Sequence, residues 1–260
     1  MSDWIKKLPR SDSFYSYPVS AMIPVDTNAE PPLALLAELL KHSYFDPEYL
    51  QGLATRYAWQ KVHEKLITPA APTLTAVRRG DFGEAIAAKA LEELEDYHIP
   101  INKLRYKVGK NQTLPGTDCL ALKIADSGEL DEVCFVESKL RTARDDSVAV
   151  KGYQQLVSDV TEAEPVILSF VARQLTAKEH PLARAFHNYF FSRDRQIETY
   201  KLWICHDTSL WREKVLQDLE DYGVHLQRFE VYIHLVVRLA PLIEEVFHVL
   251  GAIEVVDDDD

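Results

Sequence analysis

Residues 115–139 have the sequence PGTDCLALKIADSGELDEVCFVESK. Two apolar runs, residues 117–124 and 132–140, predict two β-strands, because each run is short and is bounded by turn-forming residues. The segment between them, residues 125–129, contains Asp, Ser and Gly, which are typical of a tight turn. We therefore predict an antiparallel hairpin, and the rest of the fold is interpreted around it.

Charged residues cluster at the open end of this hairpin. Antiparallel pairing brings Asp118, at the start of the first strand, beside Glu137 and Lys139, at the end of the second. Side chains alternate between the faces of a strand, so residues 137 and 139 share one face and Ser138 points to the other. Two carboxylates and an ammonium at one sheet edge suit a divalent metal and an attacking water, as phosphodiester hydrolysis requires. The sequence therefore predicts a nuclease site.

Each half of this pattern also has a simpler interpretation. A single Glu-x-Lys on a strand is typical of an exposed ion pair, and Gly-Thr-Asp alone is typical of a turn. Only their joint occurrence at hairpin spacing favours a catalytic site.

The remaining sequence predicts an α/β protein. Helices are predicted at residues 33–42, 47–67, 79–97, 148–161, 176–191, 210–222 and 241–250, and further strands at 103–108, 165–171, 200–206 and 231–238. Residues 1–32 predict an extended arm with one strand near residues 17–23. Apolar runs such as Val166-Ile167-Leu168 favour strands that are covered on both faces. We divide the chain into an arm and helical lobe (1–75), a nuclease-like domain (76–256) and an acidic tail (257–260).

Composition limits the partners and the compartment. The 260 residues are 47% hydrophobic, which is enough for a buried core. They carry 41 acidic and 29 basic side chains, a net charge of -12, so nucleic acid would have to bind through a local basic strip, a metal or a partner. Cys119, Cys134 and Cys205 lie in apolar runs and predict buried free thiols. With no export signal or membrane-spanning run, a soluble cytoplasmic protein is expected.

The motifs of the hairpin resemble those of the PD-(D/E)XK nuclease superfamily. Gly116-Thr117-Asp118 stands in place of the nominal Pro-Asp, and Glu137-Ser138-Lys139 matches Glu-x-Lys. The resemblance covers residues 79–171 and implies a restriction-endonuclease-like mixed central sheet flanked by helices. It also implies that Asp118 and Glu137 bind Mg²⁺, with Mn²⁺ as the alternative ion, together with the backbone carbonyl of Ser138. Lys139 would then orient the water or stabilise the transition state.

The same resemblance suggests further site residues on the neighbouring helices. Glu84 matches the acid that many members supply from the helix before the sheet, although a first-turn acid near a helix dipole is equally expected. Gln154 or Gln155 lies where one branch carries a Gln, but Tyr153 precedes them and the Gln-x-x-x-Tyr pattern is not matched.

Basic and amide side chains near the site are candidates for phosphate contacts. Gln154, Gln155, Lys151 and Arg141 are the predicted nucleic-acid-binding residues, with Arg144 as a further basic side chain just beyond the strand. A polar helix face and a solvated loop are the alternatives for these positions.

A narrower resemblance adds a partner. Gly80-Asp81-Phe82-Gly83-Glu84, with the Asp118 and Glu137-Ser138-Lys139 motifs, is similar to the nuclease subunit of Hachiman-type bacterial anti-phage systems, which works with a separate helicase subunit. This implies DNA as substrate and a helicase or ATPase as partner, and the sequence has no glycine-rich phosphate loop of its own. Two alternatives stay open, a noncatalytic protein-interaction subunit and an RNA-directed nuclease.

Overall fold

The predicted hairpin lies at one edge of a mixed six-stranded sheet. The computed structural model describes residues 4–8, 15–26, 30–192 and 197–252, and the sheet is formed within them. Its strands in chain order are β1 (Ile5–Lys7), β2 (Val19–Pro24), β3 (Cys119–Ile124), β4 (Leu130–Arg141), β5 (Glu198–Asp207) and β6 (Phe229–Val236).

Helices surround this sheet. They are α1 (Leu33–Tyr44), α2 (Pro47–Tyr57), α3 (Trp59–Val62), α4 (Thr68–Ala70), α5 (Thr75–Glu95), α6 (Val148–Ser158), α7 (Glu164–Ala177), α8 (Ala183–Ser192), α9 (Lys214–Tyr222) and α10 (Leu239–Gly251). Short 3-10 segments lie at Lys103–Tyr106 and Thr208–Leu210, and π-helical segments at His63–Ile67 and Asp159–Ala163.

The sheet has the strand order β1-β2-β6-β5-β4-β3. Its four inner strands run parallel, whereas the edge strands β1 and β3 are antiparallel to their neighbours. One face packs against α1, α5 and α10, and the other against the helices from α6 to α9. Because the inner strands are covered on both sides, runs such as Leu202-Trp203-Ile204 are fully buried. The predicted α/β class is confirmed.

Residues 165–171 were predicted as a strand, and this prediction is wrong, because they belong to helix α7. The buried positions Leu168, Val171, Ala172 and Leu175 recur at helical spacing, while Val166 is 71% exposed. A short apolar run does not distinguish a buried strand from a helix, and the period becomes visible only when the segment is followed beyond residue 171.

The strand predicted at residues 103–108 is also absent, and a 3-10 turn (Lys103–Tyr106) takes its place. Polar and apolar residues alternate in residues 103–108 because the polar side chains bind other parts of the chain. Arg105 donates to the carbonyl of His42, and Lys107 forms an ion pair with Asp81. On the outer edge of β3, the described residues form one isolated β-bridge, between His98 and Leu122.

Two long predicted helices are interrupted. The segment 47–67 breaks at Ala58, whose φ of 66° lies in the left-handed region. The segment 176–191 breaks between α7 and α8, where Glu179 has a φ of 51° and Pro181 follows. The other predicted helices and strands are present, including the strand near residues 17–23, which is β2.

The N-terminal helices and strands pack directly against the later part of the chain. Leu36 and Leu40 of α1 share one apolar cluster with Phe82 of α5 and Leu242 of α10. The domain boundary after residue 75 stays a prediction, and the acidic tail at 257–260 lies outside the described residues. The three cysteines are buried free thiols, as predicted. Among the described residues, no helix has both the length and the apolar character to cross a membrane.

Candidate active site

Asp118 and Glu137 face each other across the hairpin. Cys119 pairs with Val136 in the antiparallel ladder, so the next position outward sets Asp118 opposite Glu137. The backbone N–H of Ser138 donates to Asp118 Oδ2 over 2.9 Å, which fixes the carboxylate at the end of the ladder. The predicted convergence of residues 118 and 137 is therefore seen in the fold, although the roles of these residues stay predictions.

The turn before Asp118 depends on a glycine. Gly116 has a φ of +83°, and a Cβ atom placed there would lie 2.6 Å from Ile167 Cδ1 on α7. The ammonium of Lys103 donates to the carbonyls of Gly116, at 2.8 Å, and Thr117, at 3.2 Å, and lies 3.6 Å from Asp118 Oδ1. One lysine thus holds the backbone of the turn and partly balances the charge of its carboxylate.

Glu137 is a buried carboxylate with one free oxygen. The residue is 2% exposed, the Lys139 ammonium donates to Oε1, and Oε2 has no hydrogen-bond partner within the described part of the chain. Burial, followed by the negative charge of Asp118, raises the pKa of Glu137 to about 8, although Lys139 acts in the opposite direction. A further cation beside this carboxyl group would stabilise its ionised form.

The close approach of α6 positions the side chain of Lys139. A Cβ atom on Gly152 of α6 would lie 3.0 Å from Lys139 Cγ and 2.5 Å from Leu202 Cδ1. The lysine stem is therefore packed against the helix, and its ammonium is directed along the sheet face toward Glu137.

Two more carboxylates, Glu84 and Asp159, interact electrostatically with Asp118. Glu84 on α5 was predicted as a site residue, and its Oε2 is buried without a hydrogen-bond partner among the described residues. Burial, and then the charge of Asp118, raises the pKa of Glu84 well above its ordinary value. Asp159, which follows α6, was not predicted; burial raises its pKa, and Asp118 contributes in the same direction. Asp159 Oδ2 is likewise buried and unpartnered within the described residues.

Asp159 also explains the position of Gln155. The amide of Gln155 donates to Asp159 Oδ1 over 3.0 Å, one helical turn further along the chain. The only sequence signal for Asp159 is this spacing of four residues on one helix face. No sequence pattern indicated that Lys103 belongs to the site, because it contacts the turn at Gly116 and Thr117 through tertiary structure and not through a motif.

The predicted nucleic-acid-binding residues lie at the rim of the site, on β4 and α6. Arg141 and Lys151 both contact the carboxylate of Asp145, at 3.0 and 3.4 Å, and Gln154 is exposed. Arg144 pairs with Asp146 at 3.3 Å. These side chains are on the surface where a ligand could reach them, but none of them contacts Glu137 or Asp118 in the described contacts.

A metal would have to displace ammonium contacts at this site. Within the described residues, no group of three or more His, Cys, Asp or Glu side chains is gathered for metal binding, and Lys103 and Lys139 contact the carboxylates of Asp118 and Glu137. The donor chemistry nevertheless fits Mg²⁺ or Mn²⁺, because the unpartnered oxygens of Glu84 and Glu137 are hard ligands.

Sequence comparison relates the whole of this site to one family. The family model for HamA matches residues 29–232, which is well over half of the chain and extends from before α1 into β6. A search of curated proteins finds no significant match. The chain belongs to the HamA family, whose members are part of Hachiman anti-phage defence.

Proposed function

We propose that this protein is a metal-dependent nuclease that cleaves DNA in Hachiman defence, with a helicase as its partner. The proposal depends on one observation above all. Asp118, Glu137 and Lys139 meet at one edge of the sheet, joined by the Ser138–Asp118 hydrogen bond and the Lys139–Glu137 contact. The order of α5, β3, β4 and α6 keeps part of the order that the resemblance to PD-(D/E)XK nucleases implies, although the strands predicted at 103–108 and 165–171 are absent.

Each site residue would have its own role in the reaction. Asp118, Glu137 and the Ser138 carbonyl would hold a divalent ion, with Glu84 as an additional ligand. Such an ion lowers the pKa of a bound water and offsets the charge of a phosphate. Lys139 would donate to the attacking oxygen or to a phosphate oxygen from its position beside Glu137. Arg141, Lys151, Gln154 and Gln155 would contact the DNA backbone at the rim.

A helicase partner would reconcile this activity with the acidic surface. A net charge of -12 repels DNA at long range, so the protein on its own would bind DNA weakly. A motor that holds the strand near the site raises the local DNA concentration without new contacts from the nuclease. The active complex is therefore proposed to be the nuclease together with a helicase.

The test is Mg²⁺-dependent cleavage of plasmid DNA by the purified protein, alone and with a candidate helicase and ATP. We expect cleavage to be lost in Asp118→Ala, Glu137→Ala and Lys139→Ala and in excess chelator. Glu129→Ala is the matched control, because Glu129 is an exposed acid on the turn of the same hairpin. Cleavage that persists in all three site variants would assign it to another protein or another site.

A noncatalytic interaction subunit is the second candidate. It is favoured by the ammonium groups that already contact Asp118 and Glu137 and by the acidic surface, which suits a basic partner. In that case the helicase would bind the wild type and Glu137→Ala equally, and neither would cleave DNA or RNA. An RNA substrate in the same assay separates the remaining alternative, an RNA-directed nuclease.

A further inference from the structure

We propose that a cavity beside Asp118 receives an unpaired nucleobase, which would make single-stranded DNA the preferred substrate. The cavity, called here the base cavity, has a volume of about 320 Å³, and its lining includes Ile101, Tyr106, Pro115, Ile167, Phe170 and Val171. This inference rests on the proposed nuclease function, because it concerns the nucleotide next to the cleaved phosphate.

The lining of the base cavity has the chemistry of a base-binding site. Its walls are mainly apolar, and its volume is within the range of small-ligand sites. Tyr106 and Phe170 are both partly exposed and contact each other edge to face, with 5.0 Å between ring centroids. Aromatic side chains bind single-stranded nucleic acid because every base has a flat π-surface that stacks on a ring.

The base cavity and the candidate active site share a wall. Gly116, Thr117 and Asp118 line the cavity, and the same Asp118 is fixed by Ser138 opposite Glu137. A strand whose phosphate lies at Asp118 would therefore have an adjacent base beside the cavity. A nucleotide spans both places, because its base and its phosphate are joined, whereas a ligand unrelated to nucleic acid would not need a cavity next to the catalytic carboxylate.

Positive charge at the cavity rim agrees with a phosphate backbone. Lys103 and Arg173 both line the cavity, but Lys103 already donates to the carbonyls of Gly116 and Thr117 and faces Asp118. Arg173 is exposed and makes no ion pair with another described residue, so it is the cation available for a phosphate oxygen. An available cation beside an apolar aromatic cavity suits a ligand that combines a flat apolar group with negative charge.

The expected preference for single-stranded DNA follows from the way the bases are held in a duplex. In a duplex each base is stacked and paired, and extruding it breaks both interactions, whereas a base in single-stranded DNA is free to enter. A helicase partner would supply such strands. The chemistry of the cavity alone does not separate DNA from RNA, so RNA is one arm of the test.

Binding is measured in chelator, where no cleavage occurs, with a single-stranded DNA oligonucleotide that carries 2-aminopurine. We expect its emission to be quenched on the wild type and about tenfold weaker binding for Phe170→Ala, since a base stacks on an aromatic ring and not on a methyl group. Phe170→Leu, which keeps the apolar packing, should show the same loss if the ring is what matters. Phe191→Ala is the matched control, because Phe191 is a surface ring on α8, 82% exposed.

Cleavage supplies the second readout. With Mg²⁺ and the helicase, the preference for single-stranded over blunt duplex DNA should fall about tenfold in Phe170→Leu and be unchanged in Phe191→Ala. Equal quenching and equal preference in wild type and Phe170→Leu would overturn the base cavity while leaving a nuclease lost in Asp118→Ala intact. Ring-dependent quenching without any cleavage would support the cavity and reject the nuclease. A stronger effect with an RNA oligonucleotide of the same sequence would overturn DNA as the substrate.

Discussion

The backbone N–H of Ser138 donates to the carboxylate of Asp118, with 2.9 Å between N and Oδ2. This bond lies just before β3 begins at Cys119, so it satisfies a backbone donor of β4 and orients a candidate ligand at the same time. One oxygen of Asp118 is thereby used for structure, and the other faces Lys103.

Asp118→Ala and Asp118→Asn separate these two roles. Alanine leaves the Ser138 N–H without its acceptor, so the free energy of unfolding should fall by about 1–2 kcal/mol. Asparagine retains an oxygen at that position and should keep most of the stability, but it lacks the charge. We expect both variants to lose Mg²⁺-dependent cleavage. Urea denaturation and plasmid cleavage measure the two effects, and full cleavage by Asp118→Asn would contradict the role of the charge.

Glu137 should destabilise the metal-free protein, and Glu137→Gln should remove this effect. Burial raises its pKa from the ordinary 4.5 to about 8, so the unfolded chain loses the proton at a lower pH than the folded protein does. Stability from this group is complete below pH 4.5 and is lost as the pH rises to about 8. In chelator near pH 8, Glu137→Gln should be more stable than the wild type by about 1–3 kcal/mol, while cleavage is lost.

Glu132 on the same strand is the control for this prediction. It accepts a hydrogen bond from Thr199 Oγ1 over 2.6 Å and another from the hydroxyl of Tyr97. Although burial acts to raise the pKa of Glu132, these hydrogen bonds hold it below its ordinary value. Glu132→Gln should therefore lower the free energy of unfolding, by about 1 kcal/mol or more. Equal signs for the two variants in urea titrations would contradict the assigned environments.

Local patterns predicted the hairpin and its motif well. The two strands are adjacent in sequence and joined by a tight turn, so Asp118 and Glu137 could be placed opposite each other before any tertiary contact was known. Glu84 was suggested by resemblance and is close enough to Asp118 to share its field. What the sequence did not predict are contacts between segments that are distant along the chain. Lys103 on the Gly116 turn and the α7 wall of the base cavity are examples.

Lys103 is predicted to act as a positioning residue. Its ammonium holds the carbonyls of Gly116 and Thr117 beside Asp118, so Lys103→Met should let the turn move and reduce cleavage about tenfold, with a loss of about 1 kcal/mol in stability. Lys103→Arg keeps the charge and the donors and should restore part of the activity. Lys110→Met, at an exposed position of the same loop, should leave both quantities unchanged. A failure of arginine to restore any cleavage would reject the positioning role.

Gly152 and Gly52 form a matched pair of helical glycines. A methyl group on Gly52 of α2 would meet nothing within 4 Å, so Gly52→Ala should stabilise the protein by about 0.5–1 kcal/mol. On Gly152 it would collide with Leu202 and with the stem of Lys139, and Gly152→Ala should destabilise by about 1–3 kcal/mol. Displacement of Lys139 should also reduce cleavage in Gly152→Ala alone. Thermal unfolding and plasmid cleavage test both signs, and a stabilised, fully active Gly152→Ala would contradict this packing.

His234 should weaken the fold in acid. It is fully buried on β6 between the rings of Trp4 and Trp203, and neither ring nitrogen has a hydrogen-bond partner among the described residues. Burial lowers its pKa from the ordinary 6.5 to about 4, so the folded protein keeps the ring neutral where the unfolded chain binds a proton. Stability from this group is complete above pH 6.5 and is lost as the pH falls toward 4, by about 1.4 kcal/mol per pH unit. His234→Phe should remove this part of the pH dependence in urea titrations at pH 4.5–7, while His225→Phe, at an exposed position, should retain it. Comparing how steeply the free energy of unfolding changes with pH separates the effect of His234 from that of carboxylates that titrate in the same range. Parallel curves for the wild type and His234→Phe would show that the buried ring does not control acid stability.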